Sequence, residues 1–135
     1  MLTTKCIHPE IMAALSLCGH GSKILIADGN YPLDQKSAPE AIKVYLGLVP
    51  GLPTVTDVLK ALHSCCEFEK AEVMVPEDGS TPEIFAEFKE ELGMELTGIG
   101  RFDYYSLAMQ PDVYLAISTG EKRTFSNILL TVGCA

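Results

Sequence analysis

Positive charge is scarce in this sequence. Its 135 residues carry 10 Lys and Arg against 18 Asp and Glu, for a formal net charge of −8 and a pI near 4.7. A surface of that sign repels polyanions, and no Lys/Arg cluster offers a local exception, which argues against a nucleic-acid partner. Long apolar runs are absent too, since none approaches the roughly 18 residues of a spanning helix, so no membrane association is expected. The opening MLTTKCIHPE lacks the apolar core of a signal peptide. The five cysteines have no framework spacing. Cys18 and His20 are two apart and Cys65 and Cys66 are adjacent, which fits neither tetrahedral zinc ligands nor a CxxC redox pair. A reducing cytoplasm is the expected compartment. GHG and DGN lack both the P-loop lysine and the GxGxxG pattern, so no phosphate cradle is expected.

What is present is globular composition, 47% hydrophobic and 21% charged, at the length of one domain over residues 1–135. Helix and strand signals alternate. PEIMAALSLCG reads as a helix with Pro9 in its first turn and Gly19 as its stop, and Ser22–Ala27 as a buried strand. The polar loop GNYPLDQKSAPE leads to a second strand in AIKVYLGLV. TVTDVLKALHSC is an amphipathic helix, AEVMVP a strand, and STPEIFAEFKEELG a helix with Ser80 and Glu83 as its capping box and Gly93 as its end. A short strand near Leu96–Ile99, a helix over Phe102–Met109, the strand VYLAIS and a terminal strand after Asn127 complete the series. Such alternation predicts an α/β fold, a single compact domain with a mostly parallel sheet flanked by helices.

The polar residues gather where strands meet loops. His8 precedes a proline at a helix start, where a surface cap is its plain role, and His63 lies within an amphipathic helix. His20 differs, because flanking glycines expose the ring while the turn fixes its base, and imidazole exchanges protons near neutral pH. Asp28 ends the buried strand, as a turn-former or as an acceptor for hydroxyls. Asn127, ahead of Ile128, Leu129 and Leu130, either satisfies backbone groups or donates and accepts toward a polyhydroxylated ligand. A Cys18 nucleophile with His20 as base is the other chemistry these residues allow, set against a plain core cysteine.

HPEIMAALSLCGHGSKILIADGNYP, together with RFDYYSLAMQ and TGEKRTFSNILLTVG, resembles the ribose pyranase and fucose mutarotase family from about His8 to Gly133. The resemblance implies interconversion of the anomers or ring forms of a free monosaccharide by general acid–base chemistry, with no cofactor and no metal. It implies a proton-donating role for His20 and substrate contact for Asp28. Arg101 matches the fucose branch, where ribose pyranases carry a histidine. Phe125, Ser126 and Asn127 match a sugar-binding triplet usually written Tyr-x-Asn. Phe125 lacks that hydroxyl, which is either dispensable or replaced by Tyr104, Tyr105 or a water. The family's members are ring-shaped homo-oligomers, often decamers of two pentamers, with sites near subunit contacts. The expected activity is therefore that of an L-fucose mutarotase. D-ribose pyranase and a non-catalytic sugar-binding transport accessory protein are the alternatives.

Overall fold

The alternation becomes four helices and six strands in the computed structural model, which describes residues 1–135. In chain order these are α1 (Pro9–Leu17), β1 (Lys23–Ala27), β2 (Ile42–Tyr45), α2 (Val55–His63), β3 (Phe68–Val75), α3 (Ile84–Leu92), β4 (Thr97–Gly100), α4 (Arg101–Ala108), β5 (Val113–Ser118) and β6 (Ile128–Val132). His8 is a cap, as anticipated: its Nδ1 accepts from the Ile11 N–H at 3.3 Å. The expected Ser80 and Glu83 capping box does not form. The Ser80 hydroxyl donates to Asp78 at 2.6 Å instead, and α3 starts only at Ile84. The reciprocal box belongs to α2, where Thr54 Oγ1 accepts from the Asp57 N–H at 3.1 Å and Asp57 Oδ2 accepts from the Thr54 N–H at 2.9 Å.

One sheet runs β2-β5-β1-β6-β3-β4. The β2–β5, β5–β1 and β3–β4 pairings are parallel, while β6 is antiparallel to both β1 and β3. The sheet is thus mostly parallel, with a reversed strand at its centre. Alternate side chains point to opposite faces. Ile24, Ile26, Ile117, Ile128 and Val73 meet the buried residues of α1, α2 and α3 on one face. Leu25, Ala116, Leu129 and Met74 meet Tyr104 and Ala108 of α4, with Tyr31 and Leu33 of the loop after β1, on the other. The second strand is shorter than its apolar run, because the chain turns away after Tyr45 and leaves Leu48 and Val49 exposed. No helix is long and apolar enough to cross a membrane.

Candidate functional site

Because β6 is reversed, its start lies at the same edge of the sheet as the ends of β1, β3 and β4. Crevices at the carboxyl ends of strands collect ligands in open α/β sheets. Here Asp28 follows β1, Met74 lies near the end of β3, Arg101 opens α4 directly after β4, and Thr124–Asn127 lead into β6. All of these but the fully buried Ser126 line a cavity of about 180 Å3 together with Asn30, Tyr31 and Tyr105.

Asp28 is buried, and its two oxygens accept from the Asn30 N–H at 2.9 Å and the Ser126 N–H at 3.1 Å. Burial pushes its carboxyl above the ordinary range, and these backbone donors pull it part of the way back. Asn127 Oδ1 accepts from the Asp28 N–H at 2.8 Å, which fixes the orientation of the amide. Nδ2 makes no protein hydrogen bond and is left as a donor at the cavity wall. Asn127 therefore holds backbone with one end and turns the other toward the cavity. Ser126 takes part through its backbone, while its hydroxyl donates to the Thr124 carbonyl at 3.2 Å.

The guanidinium of Arg101 has no carboxylate within ion-pair distance. It lies 5.5 Å from the Phe102 ring centroid and 5.7 Å from that of Tyr105, and its Nε donates to the Tyr105 hydroxyl at 3.3 Å. Of the adjacent pair Tyr104 and Tyr105, Tyr105 is thus the one at the cavity. Tyr104 is fully buried and donates to the Glu72 carbonyl at 3.2 Å, which removes it as a replacement for the hydroxyl Phe125 lacks. Phe125 has a φ of 53°, a left-handed conformation that costs a phenylalanine about 1–2 kcal/mol. The surrounding loop holds it there. Gly120 packs so closely that a Cβ would come within 2.6 Å of the Leu52 and Val49 carbonyls. Arg123 bonds Glu121 at 3.0 Å and Glu87 at 2.5 Å. Burial pushes Glu121 up, but its bonds from Arg123 hold it below the ordinary glutamate range; Arg123 and Thr56 do the same for Glu87.

His20 is elsewhere. It precedes β1, so the five residues of that strand, about 17 Å at ~3.3 Å each, separate its end of the sheet from Asp28. Its ring is exposed in a turn that needs Gly21 at φ 90°, and Nε2 lies 3.0 Å from both carboxylate oxygens of Glu69. The structure therefore brings Asp28, Arg101, Phe125 and Asn127 together within one chain and leaves His20 at the opposite edge. Glu69 and Met74 escaped the sequence reading, and only an alternation count along β3 would have put Met74 on the cavity's face of the sheet. The Cys18 thiol is pushed up by burial, which counts against its service as a nucleophile. His63 is partly buried beside Glu91 at 3.3 Å.

A family model described as the RbsD / FucU transport protein family matches residues 1–135. Among curated proteins the chain is 26% identical to the D-ribose pyranase of Paracidovorax citrulli, covering 98% of each chain. It is 28% identical to the fucose mutarotase of Bos taurus, covering 94% of this chain and 88% of that one. Bacillus subtilis RbsD, solved with D-ribose, superposes with a TM-score of 0.82 at 26% identity, covering 100% of this chain and 99% of that one. The fucose mutarotase of Streptococcus pneumoniae, solved with L-fucose, gives the same TM-score of 0.82 at 23% identity and 100% and 99% coverage, a likeness of fold.

Proposed function

Since the chain belongs to the RbsD / FucU family, we propose that it is a carbohydrate isomerase that interconverts the α and β anomers of free L-fucose. The observation that carries this reading is the cavity at the strand ends, where a buried carboxylate, a fixed amide donor and an unpaired guanidinium converge beside Met74 and Phe125. A neutral polyol needs that mixture of acceptors and donors. The apolar pair suits the methyl group that distinguishes fucose from ribose, and Arg101 in GRFDYY points the same way.

Opening the hemiacetal breaks the ring C–O bond. The ring oxygen gains one proton and the anomeric hydroxyl loses one, so the sum is zero and reclosure on the other face reverses both. Asp28, Asn127 and Arg101 orient the hydroxyls in this reading, and His20 carries the proton. General acid–base catalysis of this kind supplies typically 10²–10⁴-fold.

His20 and Asp28 lie at opposite edges of one sheet, so the reading requires two copies of the chain, with the His20 edge of one against the Asp28 edge of the next. Such a contact is head to tail, and it closes into a ring when the rotation between successive copies divides a full turn. The family resemblance supplies the size in this reading, a homo-oligomer of the decameric kind built from two rings of five, and the unpaired cysteines suit a reducing cytoplasm.

Exchange NMR on equilibrated L-fucose and D-ribose tests the proposal. Catalytic protein should speed fucose anomer exchange, His20→Ala and Asn127→Ala should each abolish it, and a mixture of the two variants should recover part of it through mixed contacts. Ribose exchange alone would make the chain a pyranase. Sugar binding without faster exchange would make it a transport accessory protein.

A further inference from the structure

Glu69 sits where β3 slips against β6, with the register shifting between Phe68 and Lys70. Such a bulge turns one side chain out of the regular alternation and is a common way to re-aim it. Here the carboxylate is aimed at the ring of His20, with Oε1 and Oε2 both 3.0 Å from Nε2. The turn carrying His20 is tied to the same strand, since the Gly21 N–H donates to the Val132 carbonyl at 2.9 Å and the Val132 N–H to the Ser22 carbonyl at 2.8 Å. Two elements that hold the ring and its partner are therefore both pinned to β6.

With both partners exposed, the pair adds little to stability. Its consequence is orientation. A carboxylate accepts, so Nε2 must carry a hydrogen, and the nitrogen left free to gain or lose one is Nδ1. We infer that Glu69 is the positioning residue of His20: it holds Nε2–H, presents Nδ1 to the sugar, and balances the imidazolium formed when Nδ1 takes a proton. The inference rests on the mutarotase reading above. When a second copy covers this edge and water leaves, the attraction between carboxylate and imidazolium strengthens, so the ring is held most firmly when substrate is enclosed.

Three variants test this: Glu69→Ala, Glu69→Gln, which keeps an acceptor without the charge, and His20→Ala as control. The expected result is a kcat lower by roughly 10- to 100-fold in Glu69→Ala, within the ~10²–10⁴-fold range of general acid–base catalysis, with KM for L-fucose within about twofold of the parent. Glu69→Gln should fall between them. The downfield proton resonance of carboxylate-bound Nε2–H, absent from His20→Ala, should also vanish in Glu69→Ala, with the oligomer size unchanged. A kcat equal to the parent's, a loss expressed in KM, a retained resonance, or a kcat loss that follows a change in oligomer size would each overturn the inference. If His20→Ala keeps full exchange, the mutarotase role of His20 and this inference fall together. If His20→Ala loses exchange and Glu69→Ala does not, only the inference falls.

Discussion

Replacing Asp28 by Asn changes one atom and separates the two duties of that side chain. The carboxylate accepts from the N–H of Asn30 at 2.9 Å and of Ser126 at 3.1 Å. A carbamoyl group can satisfy one of these donors and must face the other with its own NH2. One poorly met donor in a buried setting costs about 1–3 kcal/mol, a sizeable part of the roughly 5–15 kcal/mol that holds a domain. At this chain length, about 3–5 °C of melting temperature is lost per kcal/mol. The pH dependence has a definite sign. Burial raises the Asp28 pKa in the folded chain above its ordinary 3.8. The folded state therefore binds that proton more tightly, a stability contribution fully present below the ordinary value and lost as pH rises through the raised one. Asn carries no such proton, so the gap between parent and Asp28→Asn should be widest in acid and narrow toward neutrality. Urea unfolding at several pH values reads the gap, and fucose exchange read alongside should fall. A stability change under about 0.5 kcal/mol with exchange intact would refute the place given to Asp28.

Arg123→Met strips the guanidinium from buried Glu121 and should cost about 3 kcal/mol in urea unfolding. Glu121 and Glu87 lie below their ordinary 4.5, so they stabilise the fold above that pH and lose this as pH falls through the depressed values; Arg123→Met should flatten that acid dependence. Gly120→Ala puts a Cβ 2.6 Å from two backbone carbonyls and should cost about 1–3 kcal/mol, seen as a lower melting temperature. Thr54→Ala removes one half of the α2 capping box and should cost roughly 0.5–2 kcal/mol with the fucose KM unchanged. Phe125→Tyr adds a hydroxyl at the cavity and should lower KM by about 2- to 10-fold, the equivalent of one ordinary hydrogen bond.

The alternation of helix and strand was legible because its signals are local: proline at a helix start, glycine at its end, apolar runs of strand length. The order of those strands was not, since nothing local in ILLTV says that it runs backwards between β1 and β3. Asp28, Arg101, Phe125 and Asn127, singled out by the resemblance, line one cavity although the four strands β2 to β5 lie between Asp28 and Asn127 in sequence. Glu69 escaped because its neighbour lies 49 positions away and its aim depends on a slipped register. The capping box was assigned to the wrong helix for a related reason. Ser80 and Glu83 have the right spacing, but Asp78 competes for the serine hydroxyl two residues earlier, while Thr54 and Asp57 meet no such rival.

The reversed strand β6 also sets a schedule. It follows every other strand in chain order, yet β2-β5-β1 on one side and β3-β4 on the other are hydrogen-bonded into one sheet only through it. Until Ile128–Val132 has left the ribosome the nascent chain holds two half-sheets with open edges, so the fold closes late and by its most distant contacts. The same residues complete the binding edge through Asn127 and anchor the His20 turn through Val132. A chain interrupted before that point would therefore have neither of the surfaces on which one copy could meet the next.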